Sequence, residues 1–97
     1  MANILYTISD IKEEVDRCSG GRVYIMSMYK TIRNLNIKPI KKGGWRNRVG
    51  YYSEIQKAAI VKYFTLYFER RKVEDRARIL SREIRRHINW CKERFEK

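Results

Sequence analysis

The sequence predicts a mainly α fold with one small β-hairpin, on three observations. Apolar residues recur at steps of three and four in segments 7–17, 28–36 and 53–97, the period of helices with one buried side. That period breaks at Gly43-Gly44-Trp45-Arg46-Asn47, which lies between two extended segments, about 38–43 and 48–52. From Ser53 to Lys97 there is neither Gly nor Pro, so no breaker interrupts the helical pattern.

Each element has a local reason. In 7–17, Thr7 can cap the helix, and Asp10 stands three residues later, where a capping box takes an acid. Ile8, Ile11 and Val15 form its apolar stripe. Asp10, Glu13 and Glu14 suit the positive end of the helix dipole, which explains these acids without a catalytic role. Gly20 and Gly21 then break the chain, and 22–25 reads as a short extended piece. Ser27 is the expected N-cap of a second helix, 28–36. Its buried stripe is Met28, Ile32 and Leu35; Tyr29, Lys30, Arg33 and Asn34 face outward. Pro39 keeps that helix from continuing, and the hairpin follows.

Ser53 caps the last helical region, and Glu54 opens it. Residues 60–68, IVKYFTLYF, are apolar on more than one side and are expected to be mostly buried. A polar interruption, residues 69–72, precedes a second stripe: Val73, Ala77, Leu80, Ile84, Ile88, Cys91 and Phe95. One rod of ~67 Å and two helices bent near 69–72 both fit this pattern. The stripe needs a covering surface, either its own domain or a second copy. Its step averages about 3.67, away from a strict heptad, so the expectation is a short antiparallel contact between two copies. The expected organisation is a first unit at 1–68 and a dimerisation helix at 69–97, within a single compact domain.

Composition narrows the function. The 97 residues carry 23 Lys+Arg against 11 Asp+Glu, a net charge of +12. That length fits one domain. The 43% apolar and 12% aromatic content excludes compositional disorder, and one Pro with five Gly excludes a collagen- or linker-like chain. No apolar run approaches the ~18 residues of a membrane span. Residues 1–10 lack the basic and apolar regions of a secretory leader, so a cytoplasmic, nucleoid-associated protein is expected. Cys18 and Cys91 are far apart, with no CxxC, and His87 is the one histidine. Two reduced thiols are therefore expected, with no metal and no cofactor.

The charge is unevenly spread. Residues 1–24 have three basic and four acidic groups; residues 53–97 have thirteen and seven. The middle block, 25–52, has seven basic groups and no acid. A short helix offering Ser27, Tyr29, Lys30, Arg33 and Asn34 suits the major groove, where such side chains pair with base edges. Lys38, Lys41, Lys42, Trp45, Arg46, Arg48 and Tyr51 suit a hairpin laid on a sugar–phosphate backbone. Trp45 has an alternative place, packed on the second helix. Among Arg70, Arg71, Arg76, Arg78, Arg82, Arg85 and Arg86, the acids Glu74, Asp75 and Glu83 lie within a turn, as on a solvated helix face.

Helix, turn, helix and basic hairpin, then further helices, is the order of a winged helix-turn-helix. The stretch from TISDI through SMYKTIRNLNIKPIKKGG to RVGYYSE resembles the DNA-binding half of the MerR family. Thr7, Ile8, Asp10 and Ile11 match the family's opening, Ile37 and Pro39 its junction, and Tyr51, Tyr52 and Ser53 its exit from the wing. The resemblance covers residues ~6–60. Related small excisionases and phage regulators share these motifs. The turn CSGGRVYI is longer than the family's Gly-Val-Ser turn, and of the family's metal cysteines Cys91 alone is present.

The resemblance implies a minimal repressor with no small-molecule effector, its C-terminal helix paired antiparallel with a two-fold mate. Together with the charge pattern, it gives the leading expectation: a homodimer that binds a specific inverted-repeat site in duplex DNA. An excisionase or architectural factor is the alternative. A basic RNA-binding protein and a protein-interaction helix are further ones. No enzyme is expected, since no nucleophile motif or phosphate-binding glycine loop is present.

Overall fold

The computed structural model describes residues 4–19, 23–42, 50–72 and 77–95. The elements are α1 (Ile8–Ser19), α2 (Ile25–Asn34), β1 (Lys41–Lys42), β2 (Gly50–Tyr51), α3 (Glu54–Lys72) and α4 (Ala77–Phe95). The chain is mainly helical.

The α1 capping box forms as the sequence predicts. The Thr7 N–H donates to Asp10 Oδ2 at 3.0 Å, and the Asp10 N–H to Thr7 Oγ1 at 3.3 Å. Ile8, Ile11 and Val15 are buried.

At α2 the expected start is corrected. The helix begins at Ile25, so Ser27 is its third residue and exposed, and not its cap. Two backbone anchors explain the earlier start. The Val23 N–H donates to Asp16 Oδ1 of α1 at 3.1 Å, which fixes the buried Val23, and the Tyr24 carbonyl accepts the Met28 N–H at 3.1 Å. Tyr24 is extended (ψ 142°), as expected for this stretch, but Ile25 is helical.

The end of α2 also precedes the expected one. Asn36 adopts the left-handed conformation, φ 59°. Its N–H donates to the Arg33 carbonyl at 3.0 Å, and the Ile37 N–H to the Ile32 carbonyl at 3.1 Å. These paired bonds are a Schellman cap, closed by buried Ile32 and Ile37. The helix therefore ends at Asn34, closed through Leu35 and left-handed Asn36, before Pro39 could stop it.

Of the expected extended segments, 38–43 and 48–52, the described strand residues are Lys41–Lys42 and Gly50–Tyr51, and residues 43–49 lie outside the described residues. The strands pair antiparallel, Lys41 opposite Tyr51 and Lys42 opposite Gly50. A Cβ on Gly50 would stand 2.9 Å from the Pro39 ring, so glycine permits this close approach. Beyond β2, Tyr6 and Tyr52 exchange two backbone hydrogen bonds of 2.8 Å, which ties the segment before α1 to the end of the hairpin.

Residues 53–97 form two helices. Ala59 meets His87 and Arg70 meets Ser81, so α3 and α4 run antiparallel. Ile60 and Phe64 of α3 join Ile11, Val15, Met28, Ile32 and Leu35 in one core, with Cys91 contributed by α4. This corrects the stripe assigned to a second copy. Leu80, Ile84 and Cys91 are buried within the single chain, Ile88 and Phe95 pack against the core, and Ala77 is half-buried; Val73 lies outside the described residues. The reason is the antiparallel course of α4 along α3, which gives the stripe an intramolecular apolar partner. The expected division at residue 68 falls inside α3. Among the described residues, no helix is long and apolar enough to cross a membrane.

Candidate nucleic-acid interface

The outer side of α2 is the exposed basic face among the sequence-selected residues. With Met28, Ile32 and Leu35 buried, the helical period turns Lys30, Arg33 and Asn34 to solvent, together with Ser27. Tyr29 flanks them at 44% exposure. The described ion pairs, Lys12–Asp16 and Lys57–Glu14, involve none of the α2 cations. No acid occurs between residues 23 and 42.

The face is wider than the sequence suggested. Because α2 starts at Ile25, exposed Tyr24, Ile25 and Met26 join its outer surface. The missed signal was the absence of any Gly or Pro between Val23 and Met28.

Lys38 is exposed and sits where α2 passes into the hairpin. Its backbone is held from α3: the Gln56 side chain donates to the Lys38 carbonyl at 2.7 Å. Gln56 also closes a capping box with Ser53, accepting the Ser53 N–H at 2.9 Å while the Gln56 N–H donates to Ser53 Oγ at 3.2 Å. This positioning residue went unread, although Ser-x-x-Gln is a recognisable box. Lys41 forms β1 with Lys42, and half-buried Tyr51 lies opposite Lys41. Trp45, Arg46 and Arg48 lie outside the described residues. Burial, with a smaller contribution from Tyr29, raises the Tyr52 phenol above 10.0.

Lys57 fastens this region to α1. It pairs with Glu14 at 2.8 Å and lies 4.0 Å over the Tyr6 ring. The hydrogen bond to Glu14 is the largest cause of its raised pKa.

A second surface feature is a groove between α3 and α4, walled by Ile55, Lys62, Glu83, Arg86 and Trp90. Its charges are of both signs, unlike the α2 face. At its base, His87 Nε2 lies 2.7 Å from the Ala59 carbonyl, which can only accept, so this nitrogen carries the proton. Cys91 Sγ lies 3.6 Å from the same nitrogen. Burial lowers the His87 pKa below 6.5 and pushes the Cys91 thiol up to about 11. Cys18 is exposed, and both thiols are free. Arg70 donates to Ser81 Oγ at 3.4 Å and stacks on Tyr67, while Arg78, Arg82, Arg85 and Arg86 are exposed on α4.

No family model, curated protein or solved structure matches the chain.

Proposed function

We propose that the chain is a sequence-specific, double-stranded DNA-binding protein of the winged helix-turn-helix kind, acting as a minimal repressor. The observation that carries this reading is the outer face of α2: Lys30, Arg33 and Asn34 exposed beside Tyr29, without an acid, on a helix whose opposite side is anchored in the core. An α-helix fits the major groove, and these side chains can hydrogen-bond base edges there. Lys38, held at the hairpin base by Gln56, then meets the flanking phosphates.

The excisionase or architectural reading gains support from α4. Its apolar stripe is filled by α3, so a two-fold mate would have to use another face, whereas single chains can bind tandem sites. Selecting bound sites from random duplex DNA tests both readings. A preferred sequence supports DNA reading by α2; uniform binding of all duplexes, or preference for RNA at matched salt, overturns it. An inverted repeat in the selected sites favours the homodimeric repressor, and a head-to-tail array the architectural factor.

A further inference from the structure

The sequence assigned only polar and cationic side chains and Tyr29 to the outer face of α2. The observed start of the helix adds a different chemistry. Met26, Lys30 and Arg33 stand at i, i+4 and i+7, one stripe opposite the buried Met28, Ile32 and Leu35. Met26 is 67% exposed, and Tyr24 beside it is 82% exposed. The fold does not use these side chains: Val23, Met28 and Ile32 already fill the core beneath them. A methionine left in water in line with two cations is a contact surface for something both apolar and anionic.

Duplex DNA meets both requirements at that position. The acid-free charge of α2 complements the phosphates, and the major groove carries one apolar group, the thymine 5-methyl. Helices docked in this groove read bases with their first turns, and Met26 lies in the first turn of α2. We propose that Met26, flanked by Tyr24, packs against a thymine methyl and sets a thymine preference at one end of the half-site, while Lys30 and Arg33 contact the bases beyond it. This rests on the DNA-binding reading above. The unbranched thioether adapts its shape to such a contact without a fixed hydrogen-bond partner.

Replacing thymine by deoxyuridine removes the methyl and leaves the base-pairing edge intact. The full-length chain is titrated with its selected duplex and with duplexes carrying one such replacement at each thymine in turn. At one thymine position per half-site, the methyl-free duplex is expected to bind about four-fold more weakly, the effect of one buried methyl group. Met26→Ala is expected to bind the two duplexes equally, and Met26→Leu to keep the difference. Met26 is exposed, so neither variant threatens the core. Equal binding of every deoxyuridine duplex by the unmodified chain overturns the thymine contact alone, as does a difference that survives Met26→Ala. Failure to select any duplex overturns the underlying DNA reading, and the thymine contact with it.

Discussion

Gln56 Nε2 donates to the Lys38 carbonyl at 2.7 Å, joining the first turn of α3 to the approach to the hairpin. Gln56 also caps α3 through Ser53, so one buried side chain sets both the start of a core helix and the course of the basic segment. Gln56→Ala removes both roles and is expected to cost about 1–2 kcal/mol, read from urea unfolding. Ser53→Ala removes the cap alone and should cost about 1 kcal/mol. Equal losses would show that the Lys38 contact contributes nothing.

The buried stripe of α4 gives a clear contrast. Leu80, 1% exposed, packs inside one chain. Leu80→Ala is expected to destabilise the chain by roughly 2–5 kcal/mol through the cavity it leaves. Sedimentation should return the same molar mass for the variant and the parent at matched concentration. A halved mass with unchanged unfolding free energy would return this stripe to a second copy.

His87 ties stability to pH. Its folded pKa lies below that of the unfolded chain, so on acidification the unfolded state takes up this proton first. Its contribution is fully present above the unfolded value near 6.5 and is lost as pH falls toward the lower folded value. Unfolding free energy is therefore expected to decline from pH 7 to pH 5, and His87→Gln to flatten that slope. A slope unchanged by the substitution would assign it to other groups.

The left-handed Asn36 makes an opposed pair of substitutions informative. Asn36→Gly keeps the conformation at φ 59° without strain and should leave the melting temperature near that of the parent. Asn36→Ala should cost about 1 kcal/mol. Equal melting temperatures for the two variants would mean the cap is not held in solution.

Under the proposed DNA binding, the two kinds of contact separate by salt and sequence. Lys38→Ala is expected to weaken all duplexes alike and to reduce the salt slope by about 1. Arg33→Ala should narrow the gap between selected and random duplexes. Uniform weakening by Arg33→Ala would make it another phosphate contact.

Much of the fold was legible because its signals are local. Thr7 and Asp10, the Met28–Ile32–Leu35 stripe and the Ser53 cap all act within one or two turns. The misread features depend on distant groups. Val23 is fixed by Asp16 across the Gly20-Gly21 break, so the start of α2 could not be read from Ser27 alone. Asn36 ends the helix through a backbone conformation that its neighbours tolerate, whereas Pro39 carried the louder signal. The α4 stripe looks the same whether α3 or a second copy covers it, and no breaker residue marks the antiparallel course of α4 along α3 that decides it. On the candidate interface, Lys30 and Arg33 followed from period and charge. Met26 did not, because its exposure depends on where the helix begins.

The reciprocal hydrogen bonds of Tyr6 and Tyr52 also bear on the order of assembly. These residues stand 46 positions apart, and α1, α2 and the hairpin lie between them. The antiparallel α3–α4 pair, by contrast, is joined across four residues. Chain entropy thus favours that helical pair as the early template, with the larger loop sealed afterwards by the tyrosine bridge. The α2 face sits in the loop sealed last. The α2 face is therefore expected to take its final shape only after the α3–α4 pair has formed.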